Sequence, residues 1–225
     1  MEIFCYRSDA MKRILHHCSH AYTRYTSGEI SPEKTHSLCL KFKDRYEIER
    51  TAQQRFRAKA KGQANSHLVM LFEKESNIVF WWLLVTPGRG LVDQMEDLKD
   101  ALGRKSRIKF GGYELAVMPR KDRKPSWTWR MTAENKEAWR ERLQVAVRAR
   151  NDDLMKQALY SLKRTQGFAE SRRDTFKLFN EAKGYWKKKR RSDWPYGDIF
   201  VGFHGRHSKA ITVDSSKITK CSLNT

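Results

Sequence analysis

HLVMLFEKESNIVFWWLLV, residues 67–85, is the stretch whose reading decides the fold. Two apolar runs, His67 to Phe72 and Ile78 to Val85, flank a polar turn holding Glu75, Ser76 and Asn77. That spacing predicts a β-hairpin. The second run is apolar almost throughout. A strand of that kind has no water-facing side, so it is predicted to lie at the centre of its sheet with both faces covered.

Upstream of the hairpin, Ser8 can cap a helix running through Met11, Ile14 and Leu15 into the histidine-rich stretch. Ser27-Gly28 breaks that pattern, and Ser31-Pro32 reads as a helix cap or a loop entry. Leu38, Leu40 and Phe42 alternate with polar residues, the strand period. From Asp44 to Lys61 the period changes: Ile48, Ala52, Phe56 and Ala60 fall four apart. The reading is one helix with a single apolar stripe and a strongly basic remainder, ended by Gly62.

Downstream, Val92, Met95, Leu98 and Leu102 predict a helix closed by Gly103. Ile108 to Phe110 and Tyr113 to Met118 read as strands joined at Gly111-Gly112, a composition suited to a primed two-residue turn. Ser126 to Met131 alternates Trp127, Trp129 and Met131 on one face with Thr128 and Arg130 on the other. Three helical segments follow. The first carries Ala138, Trp139, Leu143, Ala146 and Val147 behind Thr132. The second restarts at Asn151-Asp152 and passes Leu154, Ala158 and Leu162. The third holds Phe176, Phe179, Ala182 and Trp186. A short apolar run, Ile199 to Phe203, precedes a polar tail.

The fold class expected is therefore α+β: a mostly antiparallel sheet with a C-terminal helical section. Residues 1–131 are expected to form the sheet domain with its N-terminal helix, 132–203 the helical section, and 204–225 a poorly ordered tail. The order of elements follows the split βαβ, ferredoxin-like (βαββαβ-type) layout. RNA-recognition domains and the palm of rolling-circle replication initiators share that layout, which is an analogy of element order alone.

Charge bounds the function. The 225 residues hold 46 Lys+Arg against 26 Asp+Glu, a formal net charge of +20. A charge of that size repels itself in the compact state and persists where a polyanion neutralises it. Nucleic acid is the commonest such partner. Other proteins of a nucleoprotein complex are further expected partners. Hydrophobic residues make up 39% and aromatics 12%, which suits a packed core rather than a disordered basic tail. No apolar run has the length of a membrane span, and no secretory leader is visible, so no membrane partner is expected. Cys5, Cys18, Cys39 and Cys221 are widely spaced, as in a reduced cytoplasmic protein, or a nuclear one in a eukaryotic host.

Several groups are candidates for phosphate contact or base stacking. Arg120, Lys121, Arg123 and Lys124 fall in a hairpin loop beside Trp127, Trp129 and Arg130. The tryptophans are stacking platforms if they face outward, although period-two aromatics also mark a buried face. Arg50, Arg55 and Lys59 share one face of the basic helix. Arg89 sits in Thr86-Pro87-Gly88-Arg89-Gly90, a loop before a helix that weakly resembles a phosphate loop but lacks its Lys-Ser/Thr ending. Lys187, Lys188, Lys189, Arg190 and Arg191 form the densest run of charge, between Trp186 and Trp194.

No catalytic or cofactor motif is expected. His16, His17, Cys18 and His20, joined by Cys5, His36 or Cys39, lack the two close ligand pairs typical of zinc. Asp93, Glu96, Asp97 and Asp100 read as a solvated helix face. The function expected is nucleic-acid binding, DNA or RNA. The alternatives are a nuclease or rolling-circle-type strand-transfer enzyme with an unrecognised His/Tyr site, using Tyr160 or Tyr185, and an interaction module for an acidic protein.

Overall fold

The computed structural model describes residues 2–121, 123–203 and 212–214. The chain forms two compact units, one reaching Arg107 and including Thr212–Asp214, the other beginning at Ile108.

The first unit contains β1 (Glu2–Phe4), α1 (Arg7–Ser19), β2 (Arg24–Ile30), α2 (Pro32–Tyr46), α3 (Ala52–Ala60), β3 (Ser66–Glu73), β4 (Ile78–Val85), α4 (Leu91–Met95) and β5 (Lys99–Asp100). Its sheet runs in the order β5-β2-β4-β3-β1, with the short strand Thr212–Asp214 outside β1. The predicted hairpin is β3 and β4, paired from Ser66 with Val85 to Glu73 with Ile78. Strand β4 also pairs with β2, from Val79 with Ile30 to Val85 with Arg24. It is central, as its apolar run requires. All pairings are antiparallel except that of β1 with β3.

Side chains alternate across a strand, so this sheet has two faces to cover. Leu68, Met70, Phe72, Val79, Leu83 and Val85 lie on one face and pack with Cys39, Phe42 and Tyr46 of α2. Val69, Leu71, Trp82 and Leu84 lie on the other, buried to 3% exposure or less. That face receives α1 through Ala10, Met11, Ile14 and Cys18. The path from β1 to β2 crosses the sheet in one direction and the path from β2 to β3 returns. Two crossovers of the same hand then place α1 and α2 on opposite faces.

The α+β class and the largely antiparallel sheet are present, but the ferredoxin-like order is not. Strand β2 is followed by two helices instead of a strand, and it pairs with β4. The cause lies in Leu38–Phe42, expected to be extended. Within α2 the buried positions are Pro32, Thr35, Cys39, Phe42 and Tyr46, a helical spacing, while Leu40 is 47% exposed. Five alternating residues fit either period, and packing against the sheet selected the helix.

The helix expected from Asp44 to Lys61 is broken in two. Glu47 takes a left-handed conformation at φ 48° and closes α2. Ile48 drops into the core at 3% exposure. Thr51 then restarts the helix with a capping box: its hydroxyl accepts from the Gln54 N–H at 3.2 Å, and its own N–H donates to Gln54 Oε1 at 2.7 Å. The helix expected over Val92 to Leu102 is only the short α4. Beyond it the chain extends into β5, and Met95 and Leu102 stay more than half exposed.

The second unit contains β6 (Lys109–Phe110), β7 (Tyr113–Arg120), β8 (Arg123–Met131), α5 (Ala133–Arg148), α6 (Asp152–Lys163) and α7 (Ala169–Arg190). The three strands form an antiparallel sheet. Gly111 and Gly112 both have positive φ, at 55° and 80°, as a primed turn demands. Thr132 and Asn151 cap α5 and α6 by accepting from Asn135 N and Leu154 N. Helix α7 packs on α5 and β8 and buries Leu178, Phe179, Ala182 and Trp186. Ile199 to Phe203 forms no strand, although Val201 is buried and its carbonyl accepts from Arg172 Nε at 2.7 Å.

Cys18 is a free, buried thiol. Burial pushes the Cys18 thiol up to about 12. Cys221 and most of the tail from His204 lie outside the described residues; Thr212–Asp214 form strand β9, paired antiparallel with β1. Among the described residues no helix is long and apolar enough to cross a membrane.

Candidate nucleic-acid interface

The stretch from Arg50 to Lys61 carries five cations and no acid. Most of it is helix α3, whose nine residues bury only Ala58. Ala58 sets the helix phase. The apolar stripe read from the sequence, Ala52, Phe56 and Ala60, therefore faces solvent, and Phe56 is 74% exposed.

The cations of this segment divide into two groups. Arg50 is a structural clamp: its guanidinium donates to Ala64 O at 3.0 Å and to Asn65 Oδ1 at 3.2 Å, and it pairs with Glu47. Arg55 donates to the Arg50 carbonyl and is half-buried. Its charge reaches inward to His17, His67 and Tyr22. Arg57, Lys59 and Lys61 are exposed, and among the described residues no carboxylate pairs with them.

Arg89 meets this surface from the loop after β4. Its N–H donates to Gly62 O at 2.9 Å, and its carbonyl accepts from Ala64 N at 3.0 Å. The backbone of Arg89 is thus already paired, and only its exposed side chain is open to an anion. Gly88, at φ 145°, permits the close approach: a Cβ there would lie 2.6 Å from the Ala64 nitrogen. Two adjoining hollows of about 200 Å³ and 190 Å³ result, sharing Glu47, Arg50 and Gln63. Arg45 and Arg89 line the first; Arg57 and Lys61 line the second. Their one carboxylate, Glu47, is held by Arg50.

In the second unit, Arg120 to Lys124 spans the tip of the β7–β8 hairpin, where Arg120 pairs with Arg123 across the strands. Arg120 Nε donates to Ser126 Oγ, while Lys121 and Lys124 are exposed. A hollow of about 330 Å³ lies beside Arg120, Lys121, Ser126, Thr128, Glu170 and Arg173, with Glu170 paired to Arg173 at 3.0 Å. The platform expected from the tryptophans is corrected here. Trp129 is 0% exposed, its ring centroid 6.4 Å from that of Phe168, so it has no face open to a base. Trp127 is only half-buried. Arg130 stands directly across from Glu114, donates to it at 2.7 Å, and is neutralised there.

The run from Lys187 to Arg191 closes α7. Cations in a last turn offset the helix dipole, which accounts for part of the pattern. Arg190 lies over the Trp186 ring at 4.7 Å. Trp186 is 5% exposed and donates to Asp193 O at 3.1 Å. Lys187, Lys188, Lys189 and Arg191 are exposed.

Of the other candidates, Asp93 pairs with Arg24, and Glu96 accepts from the Tyr46 hydroxyl, so neither is simply a solvated acid. Tyr160 accepts a hydrogen bond from Arg164, and Lys189 lies over the Tyr185 ring at 5.9 Å. Among the described residues no group of three or more His, Cys, Asp or Glu is placed to hold a metal. His204 and His207 lie outside the described residues.

Arg45, Arg57 and Lys61, which line the two hollows, belong to the basic stretch read from the sequence but were not singled out there for phosphate contact. The signal for the last two was Thr51-Ala52-Gln53-Gln54, a capping-box pattern that places a helix start at Ala52. Comparison of the chain with protein-family models, curated proteins and solved structures finds no match.

Proposed function

We propose that this protein binds nucleic acid, DNA or RNA, contacting phosphates through unpaired Lys and Arg side chains. The observation that carries the reading is the 50–61 segment: it holds no acid, and at a helix that buries one residue Arg57, Lys59 and Lys61 are exposed with no carboxylate partner among the described residues. A helix so little used in packing leaves its charges free to displace counterions from a phosphate backbone. The exposed lysines of the β7–β8 hairpin and the end of α7 supply further cations on the second unit.

Titration across a salt series tests the reading. If about six phosphates are neutralised, log affinity falls against log salt with a slope of about −5 on duplex DNA and about −4 on a single strand. The double variant Arg57→Gln, Lys61→Gln makes the duplex slope shallower by about 2, whereas Arg130→Gln leaves it unchanged. A flat salt response, or no binding at low ionic strength, sinks the proposal.

A further inference from the structure

Helix α3 exposes a phenyl ring in a setting that ordinary surface residues lack. A single exposed apolar side chain needs no explanation by itself. Phe56, however, is 74% exposed and makes no ring or cation contact among the described residues. Its neighbours one turn away on the same face, at i−4 and i+4, are Ala52 and Ala60, both exposed. Neither has a side chain long enough to cover the ring, so a flat partner can reach it. Lys59, at i+3 from Phe56, borders this strip with exposed positive charge, and Arg57 and Lys61 continue the charge around the helix to the second hollow.

We propose that Phe56 is a stacking platform for an unpaired base, so that α3 prefers single-stranded nucleic acid over duplex. This rests on the nucleic-acid reading above and deepens it. In a single strand the phosphates and the base faces are both open. The cations beside Phe56 take the phosphates while a base lies on the ring, the combination that single-strand binders use. In a duplex the base faces are stacked on each other, and the ring gains nothing. Charge selects between the possible occupants: an apolar protein patch would leave Lys59 and the cations beyond it without counter-charge, whereas a single strand brings phosphates to them.

The test compares wild type and Phe56→Ala on a fluorescein-labelled oligothymidine and on a duplex of equal length. The expected result is a single-strand affinity lower by about tenfold in Phe56→Ala, the loss of one stacked base. Duplex affinity and both salt slopes stay as in wild type, and Phe56→Trp restores single-strand binding. A thermal melt coincident with wild type shows that the exposed site is not needed for folding. Equal loss on both forms, or no loss on the single strand, overturns the stacking role while leaving nucleic-acid binding standing. So does a Phe56→Ala variant that loses only self-association in sedimentation. Failure of the wild type to bind either form at low salt overturns the broader reading itself.

Discussion

The imidazole rings of His17 on α1 and His67 on β3 lie with their centroids 3.8 Å apart, tilted by 30°. His17 Nε2 is buried without a hydrogen-bond partner. Burial, then the neighbouring His67, His16, Arg13 and Arg55, push His17 down to about 2. Burial, then Arg13, Arg55 and His16, push His67 down to about 4. Both rings are neutral in the folded protein near neutral pH.

Acid sensitivity follows from this pair. Both folded values lie below the unfolded value of about 6.5, so the unfolded chain takes up protons first as pH falls. The contribution of the pair to stability is complete above about pH 6.5 and is lost as pH falls from there, down to about 4 for His67 and about 2 for His17. Each ring contributes a slope of at most about 1.4 kcal/mol per pH unit. Urea unfolding at about pH 7 and about pH 5 should show a lower midpoint in acid, and His67→Phe should flatten the difference. Identical wild-type midpoints at the two pH values would contradict this account.

Two glycines should respond to alanine in opposite directions. At Gly88 the left-handed φ and the approach to the Ala64 nitrogen both oppose a side chain. Gly88→Ala is expected to destabilise by about 1–3 kcal/mol and to weaken phosphate binding by displacing Arg89. Gly184 lies inside α7, and a Cβ there meets nothing within 4 Å. Gly184→Ala is expected to stabilise by about 0.5–1 kcal/mol through helix propensity. Melting temperatures of the two variants check the pair, and a rise for Gly88→Ala would refute the close approach.

Trp127 and Trp129 should separate by what they fill. Trp129→Ala empties a fully buried site and is expected to cost about 3–5 kcal/mol. Trp127→Ala, at a half-buried position, should lose less than half of that. Denaturant midpoints distinguish them. Comparable losses would mean that the two rings are equally buried.

Local pattern determined much of the molecule. The apolar runs around Glu75 to Asn77 specified the β3–β4 hairpin and its central place. Gly111-Gly112 specified a turn, and the helical spacing from Ala138 to Trp186 specified α5, α6 and α7. These signals are legible because periodicity, caps and turn residues act within a few positions of each other. The net charge, too, is a property of the sequence alone. Tertiary structure decided the rest. Leu38 to Phe42 became helical because Cys39, Phe42 and Tyr46 found the sheet. Phe56 turned outward because Ala58, rather than the expected stripe, met the body of the unit. Arg130 was neutralised by Glu114, 16 residues away in sequence but directly opposite across the strands. Which face an element buries and which charge meets a partner depend on pairings between distant segments, and no local window contains both halves of such a pair.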